Sequence, residues 1–173
     1  MQLTIQEYPA DSLEFRFRTG PVWQPCKNSL PAREAWKYVK PMQDLLIESG
    51  GIGLSANQVG LDIPLFVLRF KDRVQPVYRP RIINLSGELV KAVEGCLSFP
   101  GAFLPIYRYP KITVDFIAFP NNKRLKMSLW GLMARAFQHE VDHLNGKTLF
   151  HHYVSSVDTV TAEEAPKSVL ILD

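Results

Sequence analysis

The spacing of apolar residues predicts a long buried helix late in the chain, between Leu129 and Leu144. Ser128 is a suitable N-cap for this helix, and Gly146 is a suitable C-terminal stop. Most of its surface is apolar, and the narrow polar edge consists of Arg135, Gln138, Asp142 and Asn145. Because a helix that is apolar on most sides is a buried helix, we expect this one at the centre of the fold.

This helix contains the sequence His139-Glu140-Val141-Asp142-His143, which has the pattern H-E-x-x-H. Residues four apart lie on nearly the same face of a helix, so His139 and His143 can bind one transition metal, with Glu140 beside them as a proton carrier. Unpaired polar groups are costly to bury, and a metal explains these side chains better than a hydrogen-bonded pair of core histidines does. The pattern therefore predicts a metal-dependent hydrolase.

The rest of the chain predicts one more helix and a series of strands. Helical spacing runs from Pro31 to Ser49, and Pro41 is expected to kink this helix or split it in two. An α+β fold follows, with antiparallel or mixed β-sheets packed around the central metal-binding helix. The apolar run at 169–172 predicts either an edge strand or a disordered tail. Strands are predicted at 64–70, 75–85, 90–94, 103–108 and 111–119, with a short one at 125–127.

Composition narrows the range of functions. The chain has 173 residues, of which 46% are hydrophobic, and this suits one compact soluble domain. Its net charge of +3 is too weak and dispersed to indicate a nucleic-acid or membrane partner. No apolar run approaches the ~20 residues that span a bilayer, and the first five residues lack the features of a signal peptide. Two cysteines, Cys26 and Cys96, predict a reducing compartment rather than a disulfide framework.

Three kinds of residue compete for the place of the third metal ligand. Downstream histidines are poorly spaced, and His151 and His152 are better explained as surface residues at the end of an edge strand. Glu163 and Glu164 have about the spacing of another protease class, but their surroundings are typical of a solvated tail. The upstream thiol of Cys96 is the third candidate.

Three stretches resemble the motifs of the peptide deformylase family, in the same order and at similar spacings. Taken alone, the first of them, the glycine-rich stretch at 51–58, is better explained as a helix-to-strand turn. The resemblance covers about residues 1–154, which we expect to form the catalytic domain, and leaves 155–173 as a C-terminal tail that is an edge strand or disordered. The stretches are Gly51-Ile52-Gly53-Leu54-Ser55-Ala56-Asn57-Gln58, Glu94-Gly95-Cys96-Leu97-Ser98 and Gln138-His139-Glu140-Val141-Asp142-His143.

The resemblance implies that Cys96, His139 and His143 bind one divalent metal, natively Fe(II), which Zn, Ni or Co can replace. Three protein ligands leave a fourth position for water, as in catalytic rather than structural sites. A metal there would lower the pKa of this water, so that hydroxide attacks the formyl carbon. A mixed sulfur and nitrogen site admits several metals, and the residues alone do not choose among them.

The resemblance also implies roles for the groups around the metal. Glu140 would be the general base and acid, and the Gln58 side chain with the Leu97 backbone N–H would form an oxyanion hole. Substrate contacts are implied for Ile52, Gly53, Glu94, Leu132, Arg135 and Ala136.

Several positions need their own interpretation. Arg135 lies where relatives usually have an apolar residue that lines the methionine pocket. We expect its stem to pack while its charged head reaches water or Asp142; the alternative is an altered preference for the substrate side chain. Asp142 is either a partner that orients an imidazole or a solvated residue. Glu94 and Arg108 are expected to form an ion pair, and Ser55, in place of the usual alanine, is expected to change little.

The expected function is hydrolytic removal of the formyl group from N-formylmethionyl peptides, on nascent chains at the ribosome. We expect a monomer without nucleic-acid or membrane partners, located in the cytoplasm, or in an organelle or host-cell cytoplasm if the source is organellar or viral. Two rival hypotheses remain: an H-E-x-x-H zinc metalloprotease, and a catalytically silent deformylase-like module that binds peptides.

Overall fold

The structure, a computed structural model, describes residues 1–7 and 30–152 of the chain. A 3₁₀ turn at Ala56–Val59 follows the first strand. In chain order the helices and strands are α1 (Ala32–Ser49), β1 (Gly53–Ser55), β2 (Leu65–Phe70), β3 (Arg73–Ser86), β4 (Val90–Glu94), β5 (Leu104–Arg108), β6 (Lys111–Ala118), β7 (Lys123–Trp130), α2 (Gly131–Leu144) and α3 (Leu149–His152).

Five strands form one antiparallel sheet in the order β1-β2-β3-β6-β7, and β4 and β5 form a separate antiparallel hairpin. Alternate side chains of β2 point to opposite faces of the sheet. Phe66 and Leu68 join the apolar cluster that contains residues of α2, whereas Leu65 and Val67 join the cluster that contains α1. The two helices therefore cover opposite faces of this sheet.

The predicted α+β fold, with antiparallel sheets around a central helix, is confirmed. Residues 134–140 of α2 are all buried, although several of them are polar or charged. In the described ranges, 1–7 and 30–152, no helix is both long and apolar enough to cross a membrane.

A third apolar cluster surrounds the hairpin. The backbone turns after β4, where the Phe99 N–H donates to the carbonyl of Cys96 at 2.8 Å. In the part of the chain that the structure describes, no side chain of α2 belongs to this cluster. The apolar cluster of the hairpin is therefore separate from the one that contains α2. The buried members of the cluster are Cys96, Phe99, Ala102, Leu104, Ile106 and Leu149.

The helix predicted at residues 31–49 is found as α1, but Pro41 does not split it. Proline removes one backbone donor and crowds the preceding turn. Ala35 and Val39 before it and Met42 and Leu46 after it are all buried in the same apolar cluster. Burial on both sides of the proline holds α1 together as one helix.

The predicted start of α2 is wrong by two residues, because β7 is longer than expected. Ser128, the predicted N-cap, pairs with Thr113 inside the sheet, and the N-cap is Trp130, whose side chain makes no capping hydrogen bond. Charged residues between positions 123 and 126 concealed a solvent-facing edge strand, which commonly contains charge. The predicted stop is correct, since α2 ends at Leu144 and Gly146 has a φ of 73°.

The edge strand predicted to end at His151 and His152 is wrong. These residues belong to the short helix α3, whose Leu149 is buried against the hairpin. Cys26, the tail at 155–173 and its apolar run at 169–172 lie outside the described residues, as do Glu163 and Glu164.

Candidate metal centre

Three buried side chains bring metal-binding atoms together between the hairpin and α2. Cys96, His139 and His143 are 3%, 2% and 1% exposed, and their ligand atoms all lie within 4.8 Å of one another. The Cys96 sulfur lies 3.3 Å from Nε2 of His143, and the two Nε2 atoms are 3.0 Å apart. The histidines come from adjacent turns of α2, and the cysteine comes from the turn after β4.

This arrangement fits a metal ion. For a tetrahedral ion with metal–nitrogen bonds of about 2.0 Å and metal–sulfur bonds of about 2.3 Å, the two nitrogens would be about 3.3 Å apart, and sulfur and nitrogen about 3.5 Å apart. The observed separations of 3.0 and 3.3 Å differ from these by a few tenths of an ångström. One thiolate and two imidazoles suit zinc, iron, cobalt or nickel.

The Nδ1 atoms of both imidazoles have hydrogen-bond partners, and the Nε2 atoms are left facing Cys96. Nδ1 of His139 lies 3.0 Å from a carboxylate oxygen of Glu94, and Nδ1 of His143 lies 3.1 Å from the carbonyl of Lys147. Such partners place the proton on Nδ1 and free Nε2 for a metal. Burial lowers the pKa of His143 well below its usual value, which favours the neutral ring that a metal requires.

Glu94 is fully buried and accepts four hydrogen bonds. Oε1 accepts from Nε of Arg108 at 2.9 Å and from Nη1 of Arg135 at 2.6 Å, while Oε2 lies 2.9 Å from Nη2 of Arg108 and 3.0 Å from His139. Burial alone would raise the pKa of Glu94, but the hydrogen bonds from His139 and Arg108 outweigh it and hold the pKa well below its usual range. The predicted Glu94–Arg108 ion pair is confirmed. The expected substrate contact of Glu94 stays a prediction, and its oxygens already have four partners inside the protein.

Both interpretations of Asp142 are corrected by its contacts. Its carboxylate accepts from Arg108 and from His152 Nε2 at 2.7 Å, so it is neither simply solvated nor bonded to a metal-binding imidazole. Burial would raise the pKa of Asp142, but the hydrogen bond of His152 and the charge of Arg108 outweigh it and lower the pKa to about 2. Glu94 occupies the orienting position that was considered for Asp142.

Arg135 also differs from its prediction. It is 6% exposed, and its guanidinium bonds to Glu94 rather than to Asp142. Besides Glu94, it donates to the carbonyls of Val90 at 2.7 Å and Ile106 at 3.0 Å. Water and Asp142 on the same helix were the expected partners, whereas these carbonyls lie on the hairpin strands β4 and β5.

The carboxyl group of Glu140 lies in a tight buried site next to β1. Ser55 donates its hydroxyl to Oε2 at 2.6 Å, and a Cβ added to Gly53 would lie only 2.3 Å from Oε1. Burial raises the pKa of Glu140 to about 7, against the lowering effects of His139 and the Ser55 hydrogen bond. This contact of Ser55 was not predicted, although a buried hydroxyl group usually has a hydrogen-bond partner.

Gln58 is buried, and both ends of its carboxamide have partners. Its Oε1 accepts from the Ser55 N–H at 2.8 Å, which directs Nε2 towards Ser98 Oγ at 3.2 Å and Cys96 Sγ at 3.5 Å. Leu97 is half-buried beside Cys96. Asn57, which the sequence analysis did not single out, donates to the carbonyl of His143.

The other expected substrate-binding residues lie in the apolar cluster of α2, and the two downstream histidines lie outside the metal-binding group. Ile52 and Leu132 are half-buried against the apolar cluster that contains Ala136. His151 and His152 are not in the metal-binding group: the first contacts Thr148 and the second contacts Asp142.

A cysteine and two histidines that could hold one metal ion, beside a buried carboxyl group, are typical of a mononuclear metal hydrolase. Residues 6–159 match the sequence profile of the polypeptide deformylase family. The peptide deformylase of Borreliella burgdorferi is 42% identical over 118 residues, covering 67% of this chain and 71% of that protein. The one from Natranaerobius thermophilus is 37% identical over 124 residues, covering 71% and 76%.

The fold agrees with the sequence comparison. The crystal structure of the Thermotoga maritima peptide deformylase superposes with a TM-score of 0.77 at 28% identity, covering 89% of this chain and 99% of that one. The chain therefore belongs to the polypeptide deformylase family, whose members are metal-dependent hydrolases that remove N-terminal formyl groups.

Proposed function

We propose that this deformylase acts on the formylated methionine of nascent polypeptides and holds one divalent metal through Cys96, His139 and His143. The observation that supports this most directly is the buried approach of one sulfur and two nitrogen donors to within 4.8 Å of one another. The metal would supply a Lewis acid that lowers the pKa of a water molecule and polarises the formyl carbonyl.

Glu140 is the proton carrier in this proposal. Its carboxylate takes a proton from the water that attacks the formyl carbon and passes it to the departing nitrogen. The C–N bond of the amide breaks, giving formate and a free amino terminus. The pKa of about 7 that burial produces suits a group that must both accept and release a proton near neutral pH.

Gln58 and Leu97 would stabilise the negative charge that develops on the formyl oxygen. The Gln58 carboxamide is held by the Ser55 N–H, so its NH₂ group is already directed towards the metal-binding cysteine. Such preorganised donors stabilise a developing oxyanion without reorganisation during the reaction. The Leu97 N–H is the second proposed donor.

For the methionine side chain we propose the apolar surface formed by Ile52, Leu132 and Ala136. Gly53 would let the peptide and the Glu140 carboxyl group approach the same short strand. Only the aliphatic part of the Arg135 side chain would contribute to this surface, since its guanidinium is hydrogen-bonded to Glu94 and to the hairpin.

Fe(II) is the metal we propose for the native enzyme. Zn, Ni or Co could replace it, because a thiolate and two imidazoles accept all of these metals. We further propose a monomer that meets nascent chains at the ribosome, in the cytoplasm or in an organelle. No direct nucleic-acid or membrane contact is part of this proposal.

The metalloprotease hypothesis needs a downstream acid as the third ligand, whereas Cys96 already completes the donor set. Cys96→Ala separates the two hypotheses, since the protease would keep its metal and the deformylase would lose it. The silent-module hypothesis needs no proton carrier. Glu140→Ala should abolish release of formate while metal and peptide remain bound, and turnover that survives this change would refute the mechanism.

A further inference from the structure

The metal ligands come from two parts of the fold that share no apolar cluster. Both histidines lie on α2, whose apolar side chains pack against the five-stranded sheet. Cys96 lies in the separate cluster around the β4–β5 hairpin, to which α2 adds no side chain among the described residues. Direct polar contacts between the hairpin and α2 therefore help to set the distance between the sulfur and the imidazoles.

Arg135 makes three of these contacts from one guanidinium group. It lies on α2 one turn before His139, and its Nη1 donates to Glu94 Oε1 at 2.6 Å and to the carbonyl of Ile106 at 3.0 Å. Its Nη2 donates to the carbonyl of Val90 at 2.7 Å. It thus joins α2 to both strands of the hairpin and to the carboxylate beside Nδ1 of His139.

Arg135 also balances the buried charge of this interface. Glu94 and Asp142 contribute two negative charges, and Arg108 and Arg135 contribute two positive charges. Without Arg135, Glu94 Oε1 would keep one donor, Nε of Arg108. A buried carboxylate that keeps only one of two charged partners is less well compensated, and Glu94 is expected to move or to attract another donor.

We infer that Arg135 is a positioning residue for the metal centre: it fixes the hairpin and Glu94 against α2, and so sets the orientation of His139 and the reach of Cys96. This inference rests on the proposed ligand set. The fork of an arginine makes several directed hydrogen bonds at once, whereas a lysine ammonium at the same place keeps the charge but reaches fewer acceptors.

The test measures cobalt binding rather than catalysis. The protein is freed of metal, titrated anaerobically with Co(II), and followed by the visible absorption of the cobalt ion, which reports its ligand geometry. Loss of a direct partner of a metal ligand typically weakens metal binding about 10–100-fold. Arg135 acts through such a partner, Glu94, so Arg135→Met should weaken Co(II) binding by about tenfold, the lower end of that range, and change the spectrum. Arg135→Lys should give a smaller loss. Arg81→Met is the matched control: its arginine pairs with Asp115, its side chain is 63% exposed, and we expect a change within about twofold.

Thermal unfolding of each metal-free variant separates positioning from stability. Wild-type affinity and spectrum in both Arg135 variants would overturn the inference, even if their stability were lower. If Arg135→Met does not fold, Arg135→Lys decides by the same criteria. Failure of the wild-type protein to bind cobalt would refute the ligand set and this inference with it, and that result is distinct from tight binding by every variant.

Discussion

Replacing Gly53 with alanine is expected to displace the proton carrier while leaving the metal ligands intact. The added Cβ would lie 2.3 Å from Glu140 Oε1, 2.7 Å from Cδ and 2.9 Å from Cγ. Ordinary contacts are about 3.5 Å, so the carboxyl group must move by about 1 Å. It has little room to do so, because Glu140 is 1% exposed and Ser55 holds its other oxygen.

A displacement of about 1 Å at a reacting group can lower the rate about 100-fold, equivalent to about 2.7 kcal/mol. We therefore expect Gly53→Ala to lower kcat/KM by about that factor, with a stability loss of about 1–3 kcal/mol from overpacking. The assay is release of free amine from a formyl-methionyl tripeptide, with metal content measured for each preparation.

Gly50→Ala is the control for this experiment. Gly50 has a φ of 80° and nothing within 4 Å of an added Cβ, so alanine there should cost about 1–2 kcal/mol of stability without changing kcat/KM. A second test combines Gly53→Ala with Glu140→Asp, whose shorter side chain withdraws from the added methyl group. In this background, Gly53→Ala should lower kcat/KM by a much smaller factor than it does in the wild-type enzyme.

The steric argument would be refuted by a folded, metal-loaded Gly53→Ala enzyme with kcat/KM within about threefold of wild type, a difference of less than 1 kcal/mol. Equal losses from Gly53→Ala in the wild-type and Glu140→Asp backgrounds would also contradict it.

Three further predictions concern a hydrogen bond, a surface ion pair and the core. Ser55→Ala should lower kcat/KM about tenfold, because a hydrogen bond to a charged group contributes about 1.5 kcal/mol or more. The hydrogen bond of an arginine lowers the pKa of Asp115, so its carboxylate stabilises the fold above the unfolded pKa of about 3.9 and stops doing so as pH falls through the folded pKa. Asp115→Asn should therefore lower the free energy of unfolding at neutral pH, with the deficit disappearing in acid. Phe137→Ala, at a ring 1% exposed, should cost about 3–5 kcal/mol in denaturant unfolding.

Each of these has an outcome that contradicts it. Unchanged kinetics for Ser55→Ala at matched metal content would mean that its hydroxyl does not act on Glu140. A pH-independent deficit for Asp115→Asn would show that packing rather than charge is responsible. A loss below about 1 kcal/mol for Phe137→Ala would show that the surrounding core collapses into the space.

Features that depend on neighbouring residues along the chain could be predicted well. His139 and His143 face the same way on any regular helix, so the approach of their two Nε2 atoms followed from spacing alone. The strand at 90–94 has the predicted ends, because its apolar pattern and flanking turns are local. The short helix α3 was missed, since its main determinant, burial of Leu149 against the hairpin, is a distant contact.

Partners from distant segments could not be deduced from spacing. Cys96 was placed at the site by family resemblance rather than by its position in the sequence. Arg135 was paired with Asp142 because both lie on one helix, but its partners are Glu94 and two carbonyls some thirty to forty-five residues away. Ser55 was considered unimportant because the distant Glu140 does not appear in the local pattern.

The most direct test of the account is release of free amine from a formyl-methionyl tripeptide by protein purified without oxygen, with the metal counted in the same sample. We expect turnover together with about one divalent metal per chain, since Cys96, His139 and His143 would form one three-ligand site. A fully metallated protein that releases no amine from this substrate would contradict it.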